Sequence, residues 1–143
     1  MKNRQTLMRS VGKVRRAWNN HVRDVALAEG IPDSYRPVMM FLLRHPGSAQ
    51  RSIAEFAGIT TSAVNQAVKS MICENYIIKE TDSSDKRSTR LYLTDKGTEI
   101  ATRVFERLDT SDDALTKRIG AEKEAELIAL FDELSEYIRR ELR

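Results

Sequence analysis

Apolar positions along this chain follow three patterns, and each predicts a different kind of element. Between residues 5 and 29, Leu7, Val11, Val14, Trp18, Val22 and Val25 recur every three or four positions, the single stripe of an amphipathic helix. Gly30-Ile31-Pro32-Asp33 ends it. Asp33 or Ser34 is placed to cap a second helix, where Pro37 is tolerated because it falls in the first turn. Val38, Met39, Phe41, Leu42 and Leu43 are dense enough to make that helix mostly buried. His45-Pro46-Gly47 stops it, and Ser48 is placed to cap the next.

From Ile53 the pattern tightens. Ala54, Gly58 and Val64 supply a small residue, a glycine and an apolar anchor, as two closely crossing helices joined by a tight turn require. Thr60 or Thr61 has the hydroxyl to cap the second of these helices, on which Val64, Val68, Met71 and Ile72 recur at helical spacing and face inward. The pattern then changes to that of strands. Ile77–Thr81 and Ser88–Leu93 are rich in β-branched and apolar residues, with the turn-forming Asp82-Ser83-Ser84-Asp85-Lys86-Arg87 between them. Thr94-Asp95-Lys96-Gly97 opens a new helix, with Thr94 as cap and Asp95 favourable to the helix dipole. Ile100, Val104, Leu108 and Leu115 mark that helix as long, broken or bent near Gly120. Leu127, Phe131, Leu134, Ile138 and Leu142 carry a last stripe.

The elements add up to one domain, mainly α with a small β-hairpin: a winged helix-turn-helix lobe over 34–97, flanked by helices over 5–29 and 98–143. The two terminal stripes exceed what so small a lobe can cover. They predict dimerisation helices that pair with a second copy, the alternative being a monomer whose termini fold back as a cap. On the helix over about 61–74, Thr61, Ser62, Asn65, Gln66 and Lys69 are polar or basic and lie away from the apolar stripe, and no acidic residue occurs until Glu74. Such a face can exchange hydrogen bonds with base edges and approach phosphates without repulsion.

Composition narrows the function further. A chain of 143 residues, 41% hydrophobic and 31% charged with three prolines, reads as soluble and globular rather than disordered. Its net charge of +3 says little, but its distribution says more. Lys2, Arg4, Arg9, Lys13, Arg15, Arg16 and Arg23 all precede the first acidic residue, Asp24, and most carboxylates lie in the last third. There is no apolar run of the roughly 18 residues that a membrane span needs. The basic N-terminus lacks the apolar centre of a signal peptide, so a cytoplasmic protein with no membrane partner is expected. A single cysteine excludes an intramolecular disulfide. His21 and His45 lie far apart, and Cys73 is expected to be buried and inert in a last helical turn. No metal-ligand spacing and no glycine-rich phosphate loop occurs, so neither an enzyme nor a bound metal or cofactor is expected.

The order of elements carries a resemblance. So do the Asn75-Tyr76-Ile77-Ile78 exit from the second helix of the pair, the D-x-x-D-K-R tip from Asp82 to Arg87, and the close Leu93-Thr94-Asp95-Lys96-Gly97. In these the chain resembles the MarR (multiple antibiotic resistance regulator) family of winged-helix repressors. The wing motif is the most specific part, and the flanking helices extend the match over nearly the whole chain. Two departures stand out. Asn75-Tyr76 occupies the place of a usual Gly-Leu, a mild change because Asn tolerates the left-handed conformation. Ser83 replaces a common proline, which loosens the start of the wing.

The resemblance implies a two-fold homodimer joined through both termini, binding double-stranded DNA at a pseudo-palindromic operator, most simply as a repressor. Each recognition helix would enter one of two successive major grooves. The wing, about 77–93, would reach the minor groove with Arg87, braced by a salt bridge from Asp85. Lys86 and Arg90 are assigned to phosphates. Family members commonly bind small aromatic acids between the dimer helices and the winged lobe. Arg15, Trp18, Tyr35 and Met39 are the candidates here for such an aromatic or acidic effector, whose binding would release the DNA. The family's peroxide sensors carry their cysteine near the N-terminus, which is not where Cys73 lies. The competing reading is a winged-helix protein-interaction module without DNA binding, against which the acid-free helix face argues.

Overall fold

The computed structural model describes residues 6–81 and 89–142. In chain order these form α1 (Leu7–Ala28), α2 (Arg36–Arg44), α3 (Gln50–Ala57), α4 (Thr61–Cys73), β1 (Ile77–Thr81), β2 (Thr89–Leu93), α5 (Asp95–Ile119) and α6 (Ala121–Glu141). Mainly helical with one antiparallel hairpin, this is the winged helix expected from the sequence. The chain divides within α5 into two compact units, one up to Glu106 and one from Arg107 onward.

The core of the first unit gathers one stripe from each element. Val38, Met39 and Leu42 of α2, Ile53 of α3, Val64, Val68 and Met71 of α4, and Ile77 and Leu91 of the hairpin are all sealed from solvent. Val22, Val25 and Ala26 bring the last turns of α1 into this core, so α1 serves the lobe with its C-terminal half. Its N-terminal half does not: Leu7 is exposed, and Val14 is 70% exposed. In the second unit α6 buries none of its residues, and Phe131 (45%) and Ile138 (43%) stand open along its stripe. On α5, Val104 and Leu108 are buried as expected, whereas Leu115 is exposed. The break at Gly120 is complete. That residue has φ 89°, a conformation open to glycine, and it separates two helices.

Several local expectations need correction. Neither Asp33 nor Ser34 caps α2; Tyr35 holds the N-cap position with no side-chain cap, and Asp33 instead accepts from Arg36 Nε at 3.0 Å. Ser48 does not cap α3 either. Its hydroxyl donates to the His45 carbonyl at 2.7 Å, and its backbone is drawn into the sheet. Gly47 N–H donates to Leu91 O at 2.9 Å, and Leu91 N–H donates to Ser48 O at 3.1 Å. A long-range pairing thus outcompetes the local cap. Ile72 (38% exposed) and Cys73 face outward, contrary to the expected burial of both. They follow Met71 by one and two steps of about 100°, which turns them off the buried stripe. Ser88 and the tip Asp82–Arg87, including Asp85, Lys86 and Arg87, lie outside the described residues.

Candidate nucleic-acid interface

The helix pair is set by its turn. Gly58 takes φ 64° and closes α3, and Ile59 N–H donates to Ala54 O at 3.2 Å. Thr60 then caps α4, its hydroxyl accepting from Ala63 N–H at 3.1 Å. With Val64, Ala67, Val68 and Met71 buried, Thr61, Ser62, Asn65, Gln66 and Lys69 all stand exposed. They form a continuous polar face on a helix without a carboxylate. Beside the turn, Arg51, Glu55, Ile59 and Thr60 border a shallow groove of about 350 Å³, where Arg51 is paired with Glu55 at 2.9 Å. The sequence alone assigns Arg51 no role. Its only signal there was a lone cation one turn before the helix crossing.

The other end of α4 is more firmly held. Asn75 adopts φ 62°, its N–H donates to Ile72 O at 3.0 Å, and Tyr76 N–H donates to Met71 O at 2.8 Å. This Schellman closure is the one that Asn75 was expected to tolerate. Thr94 joins the helix exit to the start of α5. Its hydroxyl donates to Asn75 O at 2.7 Å and accepts from Gly97 N–H at 3.0 Å. Lys96 Nζ donates to Glu74 O at 2.8 Å, with its ammonium 4.2 Å from the centre of the Tyr76 ring. From α2, the Tyr35 hydroxyl donates to Glu74 Oε1 at 2.5 Å. That hydrogen bond, followed by burial, raises the Tyr35 pKa above its ordinary value, so the phenol keeps its proton and remains a donor. Glu74, Tyr76 and Lys96 were missed in the sequence because their partners lie far away along the chain.

The hairpin pairs Ile77 with Leu93 through Thr81 with Thr89, which sets Glu80 opposite Arg90. Arg90 was assigned to phosphates, yet its Nη1 donates to Gly47 O at 3.2 Å, so part of its donor capacity is spent on anchoring β2. The effector candidates are scattered in character. Arg15 is exposed, and Trp18 is half-buried with its ring 5.6 Å from His21. Tyr35 is engaged by Glu74, and Met39 is wholly enclosed in the core, where it offers no surface to a ligand in this arrangement. Among the described residues, no group of three or more His, Cys, Asp or Glu could hold a metal ion, and no helix is long and apolar enough to cross a membrane.

Residues 29–88, which include the helix pair, match the model of the MarR family. A transcriptional regulatory protein for the hcr operon of Thauera aromatica is 20% identical over 118 residues, 82% of this chain and 71% of that one. Among solved structures, the repressor CouR bound to a 23-mer DNA duplex superposes with a TM-score of 0.76 at 21% identity, covering 91% of this chain and 92% of that one. NadR in complex with 4-hydroxyphenylacetate gives 0.75 at 20% identity, covering 94% and 95%. The matched segment runs through the capped, acid-free helix and into the wing, and the winged-helix architecture extends over nearly the whole chain. Residues 29–88 thus match the MarR family model, and the chain shares the fold of solved MarR-family transcription regulators.

Proposed function

We propose that the protein is a homodimeric repressor that reads a pseudo-palindromic operator with α4 and steadies itself on flanking DNA with the wing. The observation that carries this is the exposed row Thr61, Ser62, Asn65, Gln66 and Lys69, presented by a capped helix free of carboxylates. Members of this family are transcription regulators and not enzymes. Asn65 and Gln66 carry amides able to pair with adenine, Lys69 is assigned to phosphates, and the two-fold arrangement would place two copies of α4 about one helical turn apart. CouR on DNA and NadR with an aromatic acid support the partner classes by analogy. An aromatic carboxylate is accordingly the effector class to test, with Arg15 and Trp18 as its more accessible candidates.

Duplex titration at several salt concentrations tests the core of the reading. Affinity should fall steeply as salt rises, since each phosphate contact releases counterions. A salt-independent or absent interaction would favour the protein-interaction module. Gln66→Ala should relax preference at particular base pairs, a bidentate pairing being worth about 1–3 kcal/mol of discrimination. Nonspecific affinity should stay nearly intact; a uniform loss on all sequences would move Gln66 to the phosphates.

For the wing, the resemblance assigns Arg87 to the minor groove with Asp85 as its brace. Asp85→Ala separates two physical pictures. Simple electrostatics says that deleting a negative charge beside DNA tightens binding. A brace says that it weakens binding, because Arg87 loses its pre-set position and must give up more side-chain entropy on contact. Operator titration at one fixed salt concentration should show weaker binding, and tighter binding by the variant would refute the brace.

A further inference from the structure

We propose that the Tyr35–Glu74 hydrogen bond is a positioning contact that sets the attitude of α4 on DNA and so governs operator preference. The proposal rests on the DNA-binding reading above and assigns to it a residue pair that touches no base. Glu74 is the C-cap of α4 and the first carboxylate after an acid-free reading face. A free carboxylate at that place would only repel phosphates. Here it is held from two directions by different atoms. Its side-chain Oε1 accepts from the Tyr35 hydroxyl at 2.5 Å, and its backbone carbonyl accepts from Lys96 Nζ at 2.8 Å.

Tyr35 is a strong anchor for such a contact. It is 7% exposed and sits at the N-cap of α2, yet it gives α2 no side-chain cap. Its hydroxyl reaches 39 residues along the chain to the tail of α4. Among the described residues, the side chains of Thr61, Ser62, Asn65, Gln66 and Lys69 make no comparable long-range hydrogen bond. The orientation of this face is set by the buried stripe of α4 together with these ties at the tail, and base readout tolerates only small errors of placement, on the order of 0.5 Å.

The test uses the full chain and two duplexes of equal length: one that wild type enriches from a random-sequence pool, and a scrambled version of it. The readout is the ratio of the two dissociation constants. Tyr35→Phe removes only the hydroxyl, and Glu74→Ala removes the acceptor; each should lower the ratio by about fivefold to tenfold, the worth of one hydrogen bond. The double variant should be no worse than either single change, because both delete the same contact. Glu74→Gln keeps an acceptor oxygen while losing the charge, so it should retain the wild-type ratio. Glu74 is exposed, so its variants keep the test valid even if Tyr35→Phe proves poorly folded.

An unchanged ratio in Tyr35→Phe and Glu74→Ala overturns the proposal while leaving DNA binding intact. So does equal loss in Glu74→Gln and Glu74→Ala, which would assign the effect to charge. Tighter binding of both duplexes by Glu74→Ala has the same consequence, since mere relief of repulsion predicts it. If wild type enriches no sequence at all, the DNA-binding reading fails and this proposal falls with it.

Discussion

Gly97→Ala is expected to be among the most destabilising single substitutions in the chain, although it exchanges glycine for the best helix former in the first turn of α5. Propensity alone predicts a gain of roughly 1 kcal/mol. Geometry predicts the reverse. A Cβ at Gly97 would lie 2.2 Å from the Tyr76 carbonyl oxygen and 3.3 Å from Leu93 Cδ2. The oxygen cannot easily withdraw, because it accepts from Thr94 N–H at 3.0 Å at the point where α4, β1 and α5 converge. Overpacking of this kind typically costs about 1–3 kcal/mol, and a clash with backbone belongs at the upper end or beyond. Urea denaturation should show a much lower midpoint for Gly97→Ala. Thr98→Ala, next along the same turn and exposed, should stay within about 0.5 kcal/mol of wild type. A Gly97→Ala protein as stable as wild type would mean that the helix start does not approach Tyr76 so closely.

The second large effect concerns assembly. The double change Phe131→Glu, Ile138→Glu should convert the proposed homodimer into monomers. In an isolated chain both side chains are already nearly half exposed, so making them polar should leave the fold intact. In a two-fold dimer the same changes strike four side chains, each worth about 1.5–3 kcal/mol for full burial, of which just under half remains to be gained. The loss of roughly 3–5 kcal/mol raises the dissociation constant by about a hundredfold to several thousandfold. Light scattering at micromolar concentration should show the shift, with helical content retained. Operator affinity should collapse too, since one lobe can hold only one half-site. A variant that remains a dimer would place the interface elsewhere.

What could be read from the sequence was what depends on near neighbours. The Thr60 cap, the Gly58 turn, the left-handed Asn75 and the Thr94 cap each involve groups within a few residues of one another, and residue chemistry alone selects them. The polar face of α4 followed from periodicity. Ser48 and Asp33 misled because the same chemistry that suits a cap suits other partners: Ser48 was claimed by Leu91, 43 positions away, and Asp33 by Arg36. The apolar run Met71-Ile72-Cys73 gave no sign of where the buried stripe leaves the helix, so two exposed residues read as core. Tyr35 was assigned to an effector crevice on its aromatic character, and nothing local announced that Glu74 would take its hydroxyl.

The asymmetry in how α4 is secured has a mechanical consequence. Its 13 residues make a rod about 20 Å long. It is fastened at the rear by the Asn75 closure, by Lys96 and by Tyr35, and the proposed reading residues begin at the opposite end with Thr61 and Ser62. With the hydrogen-bonded ties gathered at this end, Glu74 is the natural pivot for any tilt of the helix. A tilt of only about 10° there would carry the first turn sideways by roughly 3 Å, a full hydrogen-bond length. Val64 lies in that leading turn and is sealed in the core, so such a tilt would have to repack Val64 as it moved the proposed reading amides of Asn65 and Gln66.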